Sequence, residues 1–357
     1  MNDEPTIIIG DREGWGDPKP FGISAADQRQ HIYIIGKTGS GKTTLLRNLI
    51  IQHIALGHGV GVIDPHGDLA EELLHHIPPE RADHLVYFNP GDLEFPIGLN
   101  VLANVAPDNR HLVASGVVGA FKGIWRDSWG PRLEYILYNA VAALLDCRNA
   151  TLLGVNRMLT DSRFRAKVIR QISDPFIRAF WVEEYESYDE RFKREAIAPI
   201  QNKVGQFLLN PVVRNILGQV KSKVSIPFIM DDGRLFIANL SKGSLGHEKA
   251  NLLGSLIVAQ FQLAALHPRR QAPRKRPRHR PRPAQTLRRT RPLQAFRRRH
   301  PNQTAERSSL KLSGTGYRGR QDSCLVGLGA RRELMNLLSE TAEWIGQPIA
   351  SALRQAV

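Results

Sequence analysis

The run from His31 to Asn48, HIYIIGKTGSGKTTLLRN, constrains this chain more than any other: an apolar tetrad, a glycine-rich turn and a helical pattern follow one another without interruption. Ile32, Tyr33, Ile34 and Ile35 are expected to form a short buried strand, while Leu45, Leu46, Leu49 and Ile50 have the apolar spacing of a helix. Between them, Gly36, four further residues and then Gly41-Lys42-Thr43 satisfy the pattern G-x-x-x-x-G-K-[ST]. Gly36, Gly39 and Gly41 free the backbone to turn several N–H groups onto one anion, with no side chain in the way. The helix opening near Lys42 adds its dipole and its unpaired N–H groups at the same point. Gly36, Lys37, Thr38, Gly39, Ser40, Gly41, Lys42, Thr43 and Thr44 are therefore the candidate cradle for the phosphates of ATP. Lys42 is expected to reach the β- and γ-phosphates, and the Thr43 hydroxyl to bind Mg²⁺.

The rest of the chain supplies the sheet that such a cradle needs. Thr6 to Ile9 reads as an edge strand followed by a Gly/Pro/Asp-rich loop. Val60-Gly61-Val62-Ile63 forms a buried strand ending at Asp64-Pro65-His66-Gly67-Asp68, and Leu85-Val86-Tyr87-Phe88 another, stopped by Asn89-Pro90-Gly91. Strands alternating with helical segments predict a mostly parallel sheet with helices on both faces. From Asp108 to Val220 the period is helical. Pro131 opens a helix with Leu133, Ile136, Leu137, Val141, Leu144 and Leu145 on one face; Thr151 is a candidate cap for the next; Asp174-Pro175 reads as N-cap and first turn; and Pro211 to Gly218 is a short helix with proline before and glycine behind. Trp125, Trp129, Trp181 and Phe192 are either core aromatics or a stacking surface for bases. A strand returns at Gly233 to Leu240, and the loop after it makes Asn239, Ser241 and Lys242 candidates for the ligand side of the sheet, or members of an ordinary strand-to-helix turn.

Charge divides the chain. The net charge is +15, yet residues 267–330 hold 18 Lys+Arg against two acids, so residues 1–266 sum to −1. The two cysteines, Cys147 and Cys324, lack the spacing of a disulfide framework or a zinc site. The acidic N-terminus does not read as a signal peptide, and the apolar run Asn251 to Leu266, broken by Gln260 and Gln262, falls short of a membrane span. The chain is thus expected in the cytoplasm, or peripherally at the inner face of the membrane.

Taken together, GKTGSGKTT, VGVIDPHGDLAEELL, IAPIQNKVGQFLLNPVVRNILGQ and RLFIANLSKGSLGHEKANLLGSLIVAQFQLAAL resemble the HerA/FtsK-type ATPases, and more closely the coupling proteins of conjugation and type IV secretion of the TraG/TraD kind. The resemblance covers residues 1–266. It implies an α/β, RecA-like P-loop NTPase in which residues 1–107 begin the nucleotide domain, 108–220 form an all-α insertion and 221–266 return to the sheet. It also implies a hexameric ring that drives DNA with ATP, beside a membrane-bound secretion apparatus. Its motif residues fall on Lys42 and Thr43, and less firmly on Asp64 and His66.

The same resemblance implies a later strand ending in Asp-Glu, the first acid orienting Mg²⁺ and the second activating water. No such strand follows Leu266. Asp64 is the weak candidate for the metal role, and Glu71 and Glu72 are expected to be solvated. The Arg/Pro-rich stretch in its place, with 14 Lys+Arg and no acid between residues 268 and 300, has three readings: a phosphate-binding arm, a self-repelling linker, or coding sequence translated out of frame. Residues 331–357 are expected to hold a terminal helix, Glu333 to Trp344. The sequence thus predicts an ATP-binding DNA motor that is catalytically incomplete. The alternatives are a non-hydrolysing, nucleotide-gated DNA-binding module and a P-loop phosphotransferase using Asp64.

Overall fold

The structure is a computed structural model that describes residues 7–12, 19–24, 27–29, 32–266 and 325–328. The chain divides into two units, residues 1–268 with 319–357, and residues 269–318; all described residues belong to the first. The basic stretch 267–324 and the terminal helix expected from Glu333 to Trp344 lie outside the described residues.

In chain order the elements are β1 (Ile7–Arg12), β2 (Lys19–Ile23), α1 (Lys42–Ala55), β3 (Val60–Asp64), α2 (Asp68–His75) and β4 (Leu85–Phe88). There follow α3 (Arg110–Ile124), α4 (Pro131–Leu145), α5 (Gly154–Thr160), α6 (Ser162–Ile169), α7 (Pro175–Ala179), α8 (Glu190–Ile200), α9 (Gln206–Leu209), α10 (Pro211–Leu217) and α11 (Ile226–Asp231). The chain then returns through β5 (Leu235–Asn239), α12 (Lys242–Leu245), α13 (His247–Leu266) and β6 (Leu325–Leu328).

β5 is the middle of the sheet because it is apolar on both sides. The sheet order is β4-β5-β3-β6, with β3 and β4 both parallel to β5 and β6 antiparallel to β3. Successive side chains point to opposite faces. Leu235 and Ile237 of β5 therefore join Val60 and Val62 of β3 against Ile50, Ile54, Leu69 and Leu73 of α1 and α2. Phe236 and Ala238 meet α13 and the helical region on the other face, where Phe236 lies against Phe88 and Phe261. All five β5 residues are buried, the signature of a strand covered on both sides.

Two sequence expectations change here. The tetrad Ile32–Ile35 is not a buried strand: it makes no ladder, and Ile32, Tyr33 and Ile35 are 44%, 63% and 78% exposed. The reason is backbone accounting, since a strand needs a neighbour to take its N–H and C=O groups. β3 has β5 on one edge and β6 on the other, so among the described residues no pairing is left beside it for the tetrad. At the N-terminus, the stretch read as a loop contains β2, which pairs antiparallel with β1.

The helical stretch follows its local signals closely. Asp174 caps α7 by accepting from the Phe176 and Ile177 N–H groups, and Asn210 caps α10 by accepting from Val212 and Val213. Leu133, Ile136, Leu137, Val141, Leu144 and Leu145 of α4 are all buried. Thr151 does not serve as a cap; α5 begins at Gly154, after Leu153. Trp181 is fully buried, and Trp125, Trp129 and Phe192 pack on the same core, so these aromatics hold the helices together. α13 is long and apolar enough to cross a membrane by length and composition alone, yet 61% of that stretch is buried inside the fold, where Leu252, Leu253, Leu256 and Ile257 complete the main core.

Candidate functional site

The cradle takes its shape from two left-handed glycines. Gly39 (φ +80°) and Gly41 (φ +86°) adopt a conformation that a Cβ would strain, and the Ser40 N–H donates to the Lys37 carbonyl at 3.1 Å to close the turn between them. A Cβ at Gly36 would stand 2.3 Å from Ser40 Oγ, so any side chain there would have to displace Ser40 from the turn. α1 starts at Lys42 directly after Gly41, with no side-chain cap. Its first N–H groups therefore face the loop rather than a serine or aspartate. The Lys42 ammonium donates to the carbonyls of Gly36 (2.7 Å) and Lys37 (3.1 Å), so it lies across the loop with one N–H to spare. Thr43 is exposed one residue further on. These residues fit a nucleotide polyphosphate: backbone donors, one cation and one hydroxyl converge at a helix N-terminus.

A second constellation forms at the C-terminal ends of the parallel strands. β3 and β5 stay joined beyond their ends, through Leu240 N–H to Asp64 O (2.8 Å) and Lys242 N–H to Pro65 O (3.1 Å). The loops Asp64–Asp68 and Asn239–Gly243 therefore run side by side, and the structure brings Asp64, His66, Asn239, Ser241 and Lys242 together. Asp64 is 2% exposed. Its Oδ1 accepts from the His66 N–H (2.9 Å) and its Oδ2 from the Ala70 N–H (3.0 Å), so the carboxylate ties strand, loop and first turn of α2 into one unit. Gly67 (φ +98°) approaches so closely that a Cβ would lie 2.7 Å from Asn239 Oδ1. Asn239 in turn donates to the Tyr87 hydroxyl (3.0 Å) and to Glu71 Oε1 (3.4 Å), and its Oδ1 accepts from the Ser241 N–H (3.1 Å). His66 is exposed.

Tyr87 was not singled out from the sequence, and Glu71 only as a solvated residue. The signal for Tyr87 is its place in β4 opposite Ile237, one residue from the strand end. Burial raises the pKa of Tyr87, against the Asn239 hydrogen bond, which lowers it, so its hydroxyl stays protonated. Glu71 and Glu72 are at the surface, as expected, and each also has a partner: Glu71 accepts from Asn239 and Glu72 pairs with Arg47. That pair joins the second turn of α1 to the second turn of α2, and sets the N-terminal ends of the two helices on the same edge of the sheet. Gln52 of α1 further exchanges two hydrogen bonds with the backbone of Ile8, each 2.8 Å, which anchors the helix to β1.

Three comparisons bear on this arrangement. A family model described as "Helicase HerA, central domain" matches residues 20–260. No curated protein sequence matches the chain. Among solved structures, the bacterial conjugative coupling protein TrwBdeltaN70 in its unbound monoclinic form is 16% identical with a TM-score of 0.43, covering 68% of this chain and 53% of its own. The plasmid coupling protein TrwB in complex with the non-hydrolysable GTP analogue GDPNP is 15% identical with a TM-score of 0.43, covering 71% and 56%. The chain spans little more than half the length of each.

Proposed function

The chain belongs to the helicase HerA central-domain family, and from that premise we propose that it is the nucleotide-binding part of a DNA-translocating motor whose hydrolytic centre is incomplete. Gly36 to Thr44 hold ATP, Thr43 supplies a ligand to Mg²⁺, and copies of the chain work on DNA as a ring; conjugation or type IV secretion is the setting that the sequence resemblance suggests. The observation that carries this reading is the loop itself: Gly39 and Gly41 at positive φ, followed at once by Lys42 at the start of α1.

Incompleteness rests on the acids. Among the described residues, β3, β4 and β5 end in Asp64, Phe88 and Asn239, so Asp64 is the one acid at the C-terminal end of a parallel strand. Both of its oxygens accept backbone N–H groups that would otherwise be unpaired. Asp64 is also 2% exposed, so a metal ion or a water would reach the lone pairs left on those oxygens only if the loop opened. The phosphotransferase alternative, which needs a working Asp64, loses support for the same reason. Phosphoryl transfer depends on positioning and charge stabilisation, so binding without appreciable turnover is expected.

The test is nucleotide binding and DNA-stimulated ATPase activity of the chain beside its Lys42→Ala variant. Losing a charge-assisted phosphate contact of about 1.5–3 kcal/mol weakens ATP binding roughly ten- to a hundredfold, with turnover near background in both proteins. ATP binding that ignores Lys42 would overturn the motor reading. Turnover that needs Lys42 and rises with DNA would overturn the incompleteness.

A further inference from the structure

The surface charge of the described body is unevenly shared. Residues 1–107 carry 7 Lys+Arg against 14 acids, while residues 108–231 carry 18 against 13. Within the second set the excess concentrates between residues 157 and 170, where five cations accompany a single acid, Asp161. That acid is already engaged. It caps α6 by accepting from the Phe164 N–H (2.9 Å), and it pairs with Arg157 (3.2 Å), whose guanidinium lies over the Phe164 ring. Arg165 is also accounted for, since it is buried and bonds Glu186 and the Met158 carbonyl.

The remaining three cations, Arg163, Lys167 and Arg170, stand at i, i+4 and i+7. At 100° per residue they fall within one narrow arc of α6, on the side away from buried Arg165 and Val168. All three are exposed, and none makes an ion pair with any described residue. Cations near a helix C-terminus favour its dipole, which accounts for Lys167 and Arg170 as ordinary surface residues. Arg163 sits in the first turn, where a cation opposes the dipole. A local rule is broken there with no compensating partner, and this marks the stripe as more than a solvated face.

We infer that Arg163, Lys167 and Arg170 form a backbone-contact ridge for duplex DNA on the helical region. The inference rests on the translocase reading and names a surface by which the motor would hold its track. Seven residues of helix rise about 10 Å, and duplex DNA presents one phosphate charge per about 1.7 Å of axis. The ridge therefore faces some six phosphates with three cations. Contacts of this kind carry no base information and are read in the salt dependence of binding.

The experiment measures binding of a labelled duplex to the full chain by fluorescence anisotropy across a salt series, for the wild type, the Arg163→Gln/Lys167→Gln/Arg170→Gln variant and the control Arg191→Gln. Arg191 is an exposed cation too, but one paired with Glu195. The triple variant is expected to flatten the slope of log affinity against log salt by up to about 2.7, at about 0.9 per lost phosphate contact, while the control keeps the wild-type slope. Circular dichroism showing unchanged folding confirms that the loss is one of contact. A wild-type slope in the triple variant overturns the ridge and leaves the translocase reading standing. No duplex binding by the wild type overturns both. The same proteins are sedimented with phosphatidylserine vesicles: loss of vesicle binding in the triple variant with duplex binding intact assigns the stripe to a membrane surface and overturns the inference.

Discussion

The half of the molecule that carries the cradle and the half made only of helices solve the same problem with different degrees of independence. The helices from α3 to α11 draw their hydrogen bonds from nearby residues, with caps such as Asp174 and Asn210 taking the first N–H groups, and they share one core that includes Trp181, Tyr185, Ile136 and Leu137. The cradle half cannot do this. Its sheet takes β3 and β4 from before the helical region, β5 from after it and β6 from beyond residue 324, while among the described residues the segment leading into the cradle has no strand beside it. A helix needs only its own sequence, whereas a strand needs a partner that its own sequence does not name.

The largest effect that sharpens this comparison belongs to the helical half. Trp181 is fully buried, its indole N–H donates to the Asn139 carbonyl at 3.3 Å, and its ring packs between Phe180 and Tyr185. Trp181→Ala should cost about 3–5 kcal/mol, read as a lower midpoint in urea denaturation followed by circular dichroism. A loss below about 1 kcal/mol would mean that the helical core is looser than its burial implies.

A smaller effect tests the junction of the two strand-end loops. Asp64→Ala leaves the His66 and Ala70 N–H groups without their acceptors, at a cost of about 2 kcal/mol. Asp64→Asn keeps one carbonyl acceptor and should recover about half of that. Nucleotide affinity measured with and without Mg²⁺ should shift less than about threefold in Asp64→Asn, since the carboxylate serves the turn. A Mg²⁺-dependent collapse of affinity with stability unchanged would instead make Asp64 a metal ligand.

The same contrast explains what was legible. The cap at Asp174, the Pro211 start of α10, the buried face of α4 and the strands β3, β4 and β5 all follow from local pattern, because a cap or an alternation is decided within a few residues. The turn at Gly39 and Gly41 followed as well, both residues lying at positive φ where only glycine is unstrained. The hydrogen bonds from Asn239 to Tyr87 and Glu71 were not legible: they join residues 152 and 168 positions apart, and only the parallel pairing of β4, β5 and β3 brings them together. β2 was missed because its proline and glycine read as loop, although Pro20 and Gly22 are tolerated in a two-stranded edge.

The smallest expected effect is the most direct probe of the asymmetry. Ile32–Ile35 has the composition of a central strand, and in a sheet covered on both faces Ile35 would be among its most sensitive positions. In the structure it is 78% exposed, so Ile35→Ser should change stability by less than about 0.5 kcal/mol. Val62→Ala, at a position of 0% exposure in β3, should lose about 1–3 kcal/mol by comparison. The pair of variants in one denaturation experiment compares a strand that has its neighbours with a strand-like segment that has none among the described residues. If Ile35→Ser costs as much as Val62→Ala, the tetrad is covered in solution, and a further strand must then lie beside it. If it costs nothing, the tetrad is uncovered in solution as well, and its strand-like composition is not matched by a place in the sheet.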